Sequence, residues 1–223
     1  MKQFKIIRIT TDATSLSVLL KNQLKYMNQF YTVIAVANNK DVLKKVQNDE
    51  GVRVYHVPLT RQITPFRDLI CIIKLCKILI KEKPIIVHSH TPKAGLIGMI
   101  ASYICRVPYR LHTVAGLPLI IKKGILKRVL LCVEKITYFF STKVYFNSND
   151  LLEIVINLKL APPSKFSVIG KGSSNGIDLN YFRKSSELNN NVKRLREKHL
   201  LFDTFVFMYI GRIVADKGLN ELI

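Results

Sequence analysis

The chain has 223 residues, 48% of them hydrophobic, with ten glycines, eight prolines and no tryptophan. At roughly 100–200 residues per domain, this length allows one large domain or one domain and part of another. The apolar content excludes disordered, collagenous and low-complexity classes. Lysine and arginine number 35 against 15 aspartates and glutamates, a net charge of +20. Such a balance points to an anionic partner, whether nucleic acid, an anionic membrane surface or a phosphorylated substrate, or else to a solvated basic surface.

In chain order, residues 4–10 (FKIIRIT) read as a buried strand. A short polar loop then leads to an amphipathic helix over 16–27, apolar at 16, 19, 20, 24 and 27. A second strand is predicted over 31–37, a polar helix after it, and a third strand over 52–57 ended by Pro58. Residues 66–80 form a long apolar helix with its basic residues on the other face. A strand over 84–87 runs into His88-Ser89-His90, and a helix begins near Pro92 with Ser89 or Thr91 as its cap. Further strands are predicted over 109–114 and 144–147, the latter with a helix after it.

Strands alternating with helices of this length predict an α/β fold, a Rossmann-like parallel sheet with helices on both faces. Ligands of such sheets bind at the carboxyl ends of the strands, so the loops 10–17, 58–65, 88–93, 113–118 and 147–150 are the ones to read. No internal repeat is visible.

After residue 168 the texture changes. GKGSSNG over 170–176 reads as a linker or hinge, and a charged helix covers 185–199. Residues 205–210 start a fresh buried strand, leading to Gly211-Arg212 and a helix start at Asp216-Lys217-Gly218. One strand and one helical turn cannot bury a face of their own. The expected organisation is therefore a domain over 1–169, a hinge and connecting helix over 170–199, and the start of a second domain over 200–223.

The four cysteines, at 71, 76, 105 and 132, have no C-x-x-C spacing. This argues against a disulfide scaffold or zinc ribbon and fits free thiols in a reducing cytosol. No charged start followed by an apolar run and a cleavage site is read at the N-terminus. The longest apolar stretches, such as 69–80, are broken by lysines 74 and 77, short of the ~18–20 residues that span a bilayer. The charge is concentrated in the middle. Residues 61–145 hold 15 basic and 3 acidic side chains, against 9 and 4 before them and 11 and 8 after.

Four segments share one pattern: VHSHTPKAGLIGMIAS (87–102), HTVAGLP (112–118), GKGSSNGIDLNYF (170–182) and FMYIGRIVADKGLNELI (207–223). In this order and spacing they resemble bacterial glycosyltransferases of family 4, with the GT-B fold, of the capsule, O-antigen and exopolysaccharide type. The resemblance covers essentially the whole chain and about the first 60% of a typical member. It implies an acceptor-side Rossmann-like domain followed by a nucleotide-sugar-binding one. The implied reaction transfers a sugar from a nucleotide diphosphate donor to a lipid-linked or glycan acceptor, with retention and without a metal.

The physical readings sit beside this. A strand ending at Gly211-Arg212, with a helix opening near Lys217, places a guanidinium and an ammonium at a helix N-terminus, a diphosphate site. The resemblance assigns Gly211, Arg212 and Lys217 to the donor pyrophosphate, where they stabilise charge on the leaving group; an exposed basic turn is the alternative. Asn175-Gly176-Ile177-Asp178 resembles the family's Asn-Gly-Val-Asp turn between the two domains, with Gly176 supplying a positive φ and Asn175 bonding backbone or the sugar nucleotide. His88 and His90 face the same way and either line the cleft or are satisfied in the core; with no carboxylate or thiol in reach, a metal site is not expected. Lys93 beside a helix N-terminus is either an anion ligand for the acceptor or an exposed lysine. Ser15 and Gly116 complete the cleft and acceptor candidates.

Two departures from the family are visible. Many members carry Thr-x-His-Gly where this chain has Ala115, and His112 lies three residues earlier. His112 therefore does not inherit the usual histidine's role by position, although it stays a catalytic candidate. The loop 11–15 lacks the family's Gly-Gly, and its Asp12 is either a catalytic base or a helix cap.

Residues 118–140 interleave Leu119, Ile120, Ile121, Ile125, Leu126 and Val129 with Lys122, Lys123, Lys127 and Arg128. A basic amphipathic helix of this kind lies in a membrane interface or packs with a solvated basic edge. The expectation is a cytoplasmic protein, peripheral at the inner face of the cytoplasmic membrane, with nucleotide sugar, acceptor and anionic lipid as partners and no nucleic acid. No cofactor is implied beyond the donor itself. The family's Glu-x7-Glu carboxylates are expected outside these 223 residues, which makes the piece inactive alone. The rivals are a truncated non-catalytic product, a GT-B-like sugar-nucleotide epimerase and a basic nucleic-acid-binding module; the last lacks any helix-turn-helix or RNA-binding signature.

Overall fold

A computed structural model describes residues 4–173, 176–211, 213–214 and 218–222, in two compact units, Met1–Gly176 and Ile177–Ile223. The first unit alternates strands and helices: β1 (Lys5–Asp12), α1 (Ala13–Val18), α2 (Gln23–Met27), β2 (Thr32–Asn38), α3 (Lys40–Glu50), β3 (Arg53–His56) and α4 (Pro65–Glu82). It continues with β4 (Ile86–His90), α5 (Pro92–Ile104), β5 (Tyr109–Val114), α6 (Gly124–Phe140), β6 (Lys143–Phe146), α7 (Asn149–Asn157) and β7 (Phe166–Val168). All neighbouring strands are parallel, in the order β3-β2-β1-β4-β5-β6-β7. The expected α/β class with a parallel sheet is what this unit forms.

Both sheet faces are buried, and the strand period of two divides the core between them. On β2, Ile34 and Val36 join Ile7, Ile9 and Val87 under α4 and α5, while Val33, Ala35 and Ala37 pack beneath α1, α2 and α3. A third cluster, including Tyr138, Val144, Phe146, Val155 and Phe166, closes the β5–β7 side. The strand order reverses between β1 and β4. Crossover helices diverge at such a point and leave a crevice at the carboxyl ends of the two strands.

Four local expectations need correction. The single helix over 16–27 is broken into α1 and α2, because Asn22 takes a left-handed φ of 66°. The Glu50 carboxylate, at the end of α3, accepts from the backbone N–H groups of Asn22 (2.7 Å) and Lys25 (2.9 Å) and so restarts the helix. The strand expected over 84–87 lies later, over β4, since His88, Ser89 and His90 are paired to Leu111, His112 and Thr113 of β5. A seventh strand, β7, follows the predicted elements, a three-residue segment that exists through its pairing with β6. Neither Ser89 nor Thr91 caps α5: both hydroxyls are drawn into tertiary hydrogen bonds, to His112 and Thr11.

In the second unit, α8 (Ser186–Lys198) is capped by Ser185, whose Oγ accepts from Leu188 N at 3.1 Å. A short helix, α9, covers Leu219–Leu222. The buried strand expected over 205–210 is absent: this segment is irregular, and Phe205 and Phe207 are 84% and 86% exposed. A parallel strand exists only through its neighbours, and among the described residues none pairs with it. The Asn175, Arg212 and Lys217 assignments lie outside the described residues.

One charge cluster locks the sheet edge to α4. Glu82, 2% exposed, accepts from Lys5 Nζ (3.0 Å), Arg53 Nη1 (2.8 Å) and the Tyr55 hydroxyl. Burial alone pushes this carboxyl up; the hydrogen bonds from Tyr55, Lys5 and Arg53 outweigh burial and hold it at about 2. A depressed carboxyl contributes stability above its ordinary 4.5 and loses it as pH falls through the folded value. Glu82→Ala is therefore expected to cost about 2 kcal/mol in urea unfolding at pH 7, the scale of hydrogen bonds to a charged group. The gap should close as pH falls from 4.5 toward 2; a pH-independent gap contradicts this account.

Candidate functional site

Two adjoining cavities open at the carboxyl ends of β1, β4 and β5, sharing Ser15, Thr91 and Pro92 in their walls. The smaller, of about 140 Å³, is bounded by Thr10 of β1, His90 of β4, His112 and Thr113 of β5, the Ala115–Gly116 turn, and Glu134 of α6. The larger, of about 460 Å³, is bounded by Thr11, Arg61, Ile63, Lys93, Lys122, Leu126 and Leu130.

The histidines are placed by strand register. His88 and His90 project from the same face of β4, with ring centroids 4.3 Å apart. His88 Nε2 meets Thr113 Oγ1 at 2.7 Å, and His90 Nε2 meets Arg8 Nη2 at 2.9 Å. A guanidinium only donates, so His90 Nε2 is the acceptor and its ring proton sits on Nδ1. Arg8 also reaches Met27 Sδ (3.0 Å) and Gln23 Oε1 (3.4 Å), and burial lowers its guanidinium to about 10. Burial first, then the Arg8 charge and the neighbouring rings, holds both His88 and His90 well below the usual imidazole range. They are neutral hydrogen-bonding groups at physiological pH.

His112 projects from the opposite face. Its Nδ1 is 2.9 Å from Ser89 Oγ, and burial pushes the ring down to about 4. α5 crosses directly over it at Gly95, where an added Cβ would stand 2.5 Å from the His112 ring. Only glycine permits this approach.

Thr91 joins β4 to α5 with φ 76° and ψ 144°, a conformation costly for a β-branched residue. Its hydroxyl is held by Thr11 through the backbone N–H (3.2 Å) and Oγ1 (2.7 Å), a bridge across the β1/β4 reversal. Asp12 caps α1, accepting from Thr14 N at 2.8 Å, and that bonding to Thr14 lowers its carboxyl. Lys93 is ion-paired to Asp68 at 2.6 Å. Among the described residues Lys122 has no ion-pair partner. Gly116 borders open space, and Gly176 is exposed.

The glycosyl transferase 4-like domain family matches residues 25–172, well over half of the chain. The chain belongs to this family. The capsular polysaccharide biosynthesis glycosyltransferase CapM of Staphylococcus aureus is 41% identical over 227 aligned residues, covering 100% of this chain and 57% of that protein. The UDP-Gal:alpha-D-GlcNAc-diphosphoundecaprenol alpha-1,3-galactosyltransferase of Escherichia coli is 35% identical over 174 residues, 76% of this chain and 43% of that one. The chain thus spans about half the length of these curated relatives. Among solved structures, HepE of Anabaena in complex with UDP superposes with a TM-score of 0.72 at 18% identity, covering 97% of this chain and 56% of that one. At that identity the likeness establishes the fold.

In this glycosyl transferase 4-like chain the register of β1, β4 and β5 brings Ser15, His90, His112 and Gly116 around one cavity, and Lys93 and Lys122 around its neighbour. His88 stands behind His90. Sequence reasoning passed over Arg8, Thr91 as a strained bridge, and Glu134. Glu134 is 4% exposed, and the group its carboxyl meets is the buried Tyr138 hydroxyl one turn later. Burial raises the Glu134 carboxyl to about 7. A signal for it exists: residues 61–145 hold only three acids, Asp68, Glu82 and Glu134, and a lone acid on a basic helix has a local reason to be there.

A carboxyl raised in the fold contributes stability below its ordinary 4.5 and loses it as pH rises through the folded value of about 7. Glu134→Gln is neutral at every pH. It should match the parent near pH 4.5 and exceed it at pH 8, by up to about 3 kcal/mol in urea unfolding. A difference that is flat over this range contradicts the burial of an ionisable carboxyl here.

Proposed function

We propose that this chain carries the acceptor side of a glycosyltransferase of surface polysaccharide biosynthesis. The enzyme moves a sugar from a nucleotide diphosphate donor to a lipid-linked acceptor, retaining configuration without a metal and working against the inner face of the cytoplasmic membrane. The observation that carries this reading is the larger cavity, which sets Ile63, Leu126 and Leu130 beside Arg61 and Lys122, with Lys93 already paired to Asp68. An apolar wall next to cations matches an amphiphilic anion such as a prenyl diphosphate. The names of the two relatives support it, one assigned to capsule synthesis and the other acting on GlcNAc-diphosphoundecaprenol.

The donor belongs to the second domain, which begins after the 170–199 connection in this reading. In this reading Gly211, Arg212 and Lys217 hold its diphosphate, and Asn175 and Gly176 contact the sugar nucleotide. As the bond from the anomeric carbon to the donor phosphate breaks, Arg212 and Lys217 stabilise the negative charge on the departing nucleotide diphosphate. The acceptor hydroxyl oxygen takes the carbon, and its proton passes to the phosphate oxygen that the carbon leaves. On the acceptor side, neutral His90 and His112 orient hydroxyls instead of accepting protons, and Asp12 serves α1.

Membrane contact falls to the first turns of α6 and the segment before it, since the helix expected over 118–140 begins only at Gly124. Ile121 and Ile125 are 61% and 79% exposed, alongside Lys122, Lys123, Lys127 and Arg128. Among the described residues no helix is long and apolar enough to cross a membrane; an interfacial helix needs no such span.

Sedimentation with phosphatidylglycerol vesicles tests the reading. Binding should fall with rising salt, and the quadruple Lys122, Lys123, Lys127 and Arg128 to Gln variant should lose more than tenfold, at about 1 kcal/mol per charge near the surface. Unchanged vesicle affinity in that variant, or preferential binding of duplex DNA at equal salt, sinks the proposal.

A further inference from the structure

We infer that Cys76 and Cys105 form a dithiol site that closes to a disulfide when it meets a small disulfide oxidant, stapling α4 to the end of α5. Neither residue lines the cavities described above, so the site stands independently of the acceptor reading.

Placement comes first. All four cysteines are free thiols, and two of them meet. Cys76 stands on α4 and Cys105 caps the C-terminus of α5, 29 positions away in the chain. Each sulfur lies against the backbone of the other's helix. Cys76 Sγ is 3.9 Å from the carbonyl oxygen of Ala101, and Cys105 Sγ is 3.8 Å from that of Cys76. The two thiols hydrogen-bond to each other. Both pack on the core that α4 and α5 share through Leu75, Leu79, Ile97 and Ala101, and the Lys93–Asp68 ion pair fixes the other end of the same helix pair. With the backbones aligned by these contacts, rotation of the two side chains brings the sulfurs together.

Access selects this pair. A thiol reacts where its thiolate can form and the oxidant can reach it. Cys76 and Cys105 are half-buried, and Tyr103, Ile104 and Arg106 beside Cys105 are exposed. Cys71 is 1% exposed, with its Sγ 3.5 Å from the Pro58 carbonyl oxygen. Cys132 is exposed on α6.

The two sulfurs divide the chemistry. Burial, then the hydrogen bond and negative charge of Cys105, push the Cys76 thiol up to about 12. Cys76 thus keeps its proton at neutral pH, and attack on the oxidant falls to Cys105. The Cys105 thiolate attacks one sulfur of the small disulfide, whose S–S bond breaks and whose other half leaves as a thiolate. Cys76 then gives up its proton and attacks Cys105 Sγ in the mixed disulfide, expelling the second half. In sum the protein loses two electrons and two protons, and the oxidant takes them up as two small thiols.

Oxidised glutathione added to the reduced 223-residue chain carrying Cys132→Ser tests the site. Trypsin, cutting after Lys74, Lys77, Lys93 and Arg106, puts Cys71, Cys76 and Cys105 on separate peptides. Two of the three remaining thiols should be lost (4 − 1 = 3), mass spectrometry should find one cross-linked peptide pair joining Cys76 to Cys105, and dithiothreitol should restore all three thiols. Cys76→Ser should stop at a single glutathione adduct on Cys105, and the same treatment in concentrated urea should scatter the pairing. The bridged form should unfold at higher urea than the reduced form, because the bridge closes the loop 76–105 in the unfolded chain. Untouched thiols, separate adducts on Cys76 and Cys105 without a bridge, pairing through Cys71, or a lower urea midpoint in the bridged form overturns the site. If Cys76→Ser does not fold, the bridge mapped in the Cys132→Ser chain decides alone.

Discussion

The reversal of strand order between β1 and β4 is the constraint on which the rest of this molecule depends. Parallel strands whose crossovers diverge leave their carboxyl ends uncovered, and the backbone there needs side-chain bridges to stay closed. Two do this work: Arg8 to His90 across one face, and Thr11 to Thr91 at the rim. Each bridge also sets a functional property. Arg8 fixes the tautomer of His90, and Thr11 holds Thr91 in a backbone conformation it would not otherwise adopt.

The electrostatics follow from the same geometry. Three histidines in a basic chain are kept neutral by burial, so the crevice floor carries hydrogen-bonding groups, and the cations stand in the outer chamber and along α6. The few acids of the central region are spent singly. Asp68 neutralises Lys93, Glu82 gathers Lys5, Arg53 and Tyr55, and Glu134 faces the smaller cavity. Cationic and neutral chambers thus stand side by side at the carboxyl ends of the strands.

Much of this was legible before any coordinates. Apolar runs such as IIRI and VIAVA, each followed by a helical period, announce a sheet buried on both faces, and the motifs around His88, His112 and Gly211 announce the family. The misreadings share a cause. The break at Asn22 depends on a carboxylate 28 residues away, β7 depends on pairing with β6, and residues 205–210, strand-like in pattern, have no neighbour to pair with among the described residues. The caps expected for α5 went to tertiary partners, since a hydroxyl takes whichever donor or acceptor the fold brings nearest.

By itself the sequence determined the alternation of elements, the fold class, the family and the concentration of positive charge, because these follow from periodicity and composition along one dimension. Only the tertiary structure decided which polar side chains share a chamber, which lysine is already neutralised, and that Glu134 stands buried against the Tyr138 hydroxyl. Those facts depend on register between strands and on helices meeting across the sheet. Pairwise distances of that kind are set by packing of residues far apart in the chain, and hydropathy patterns do not encode them.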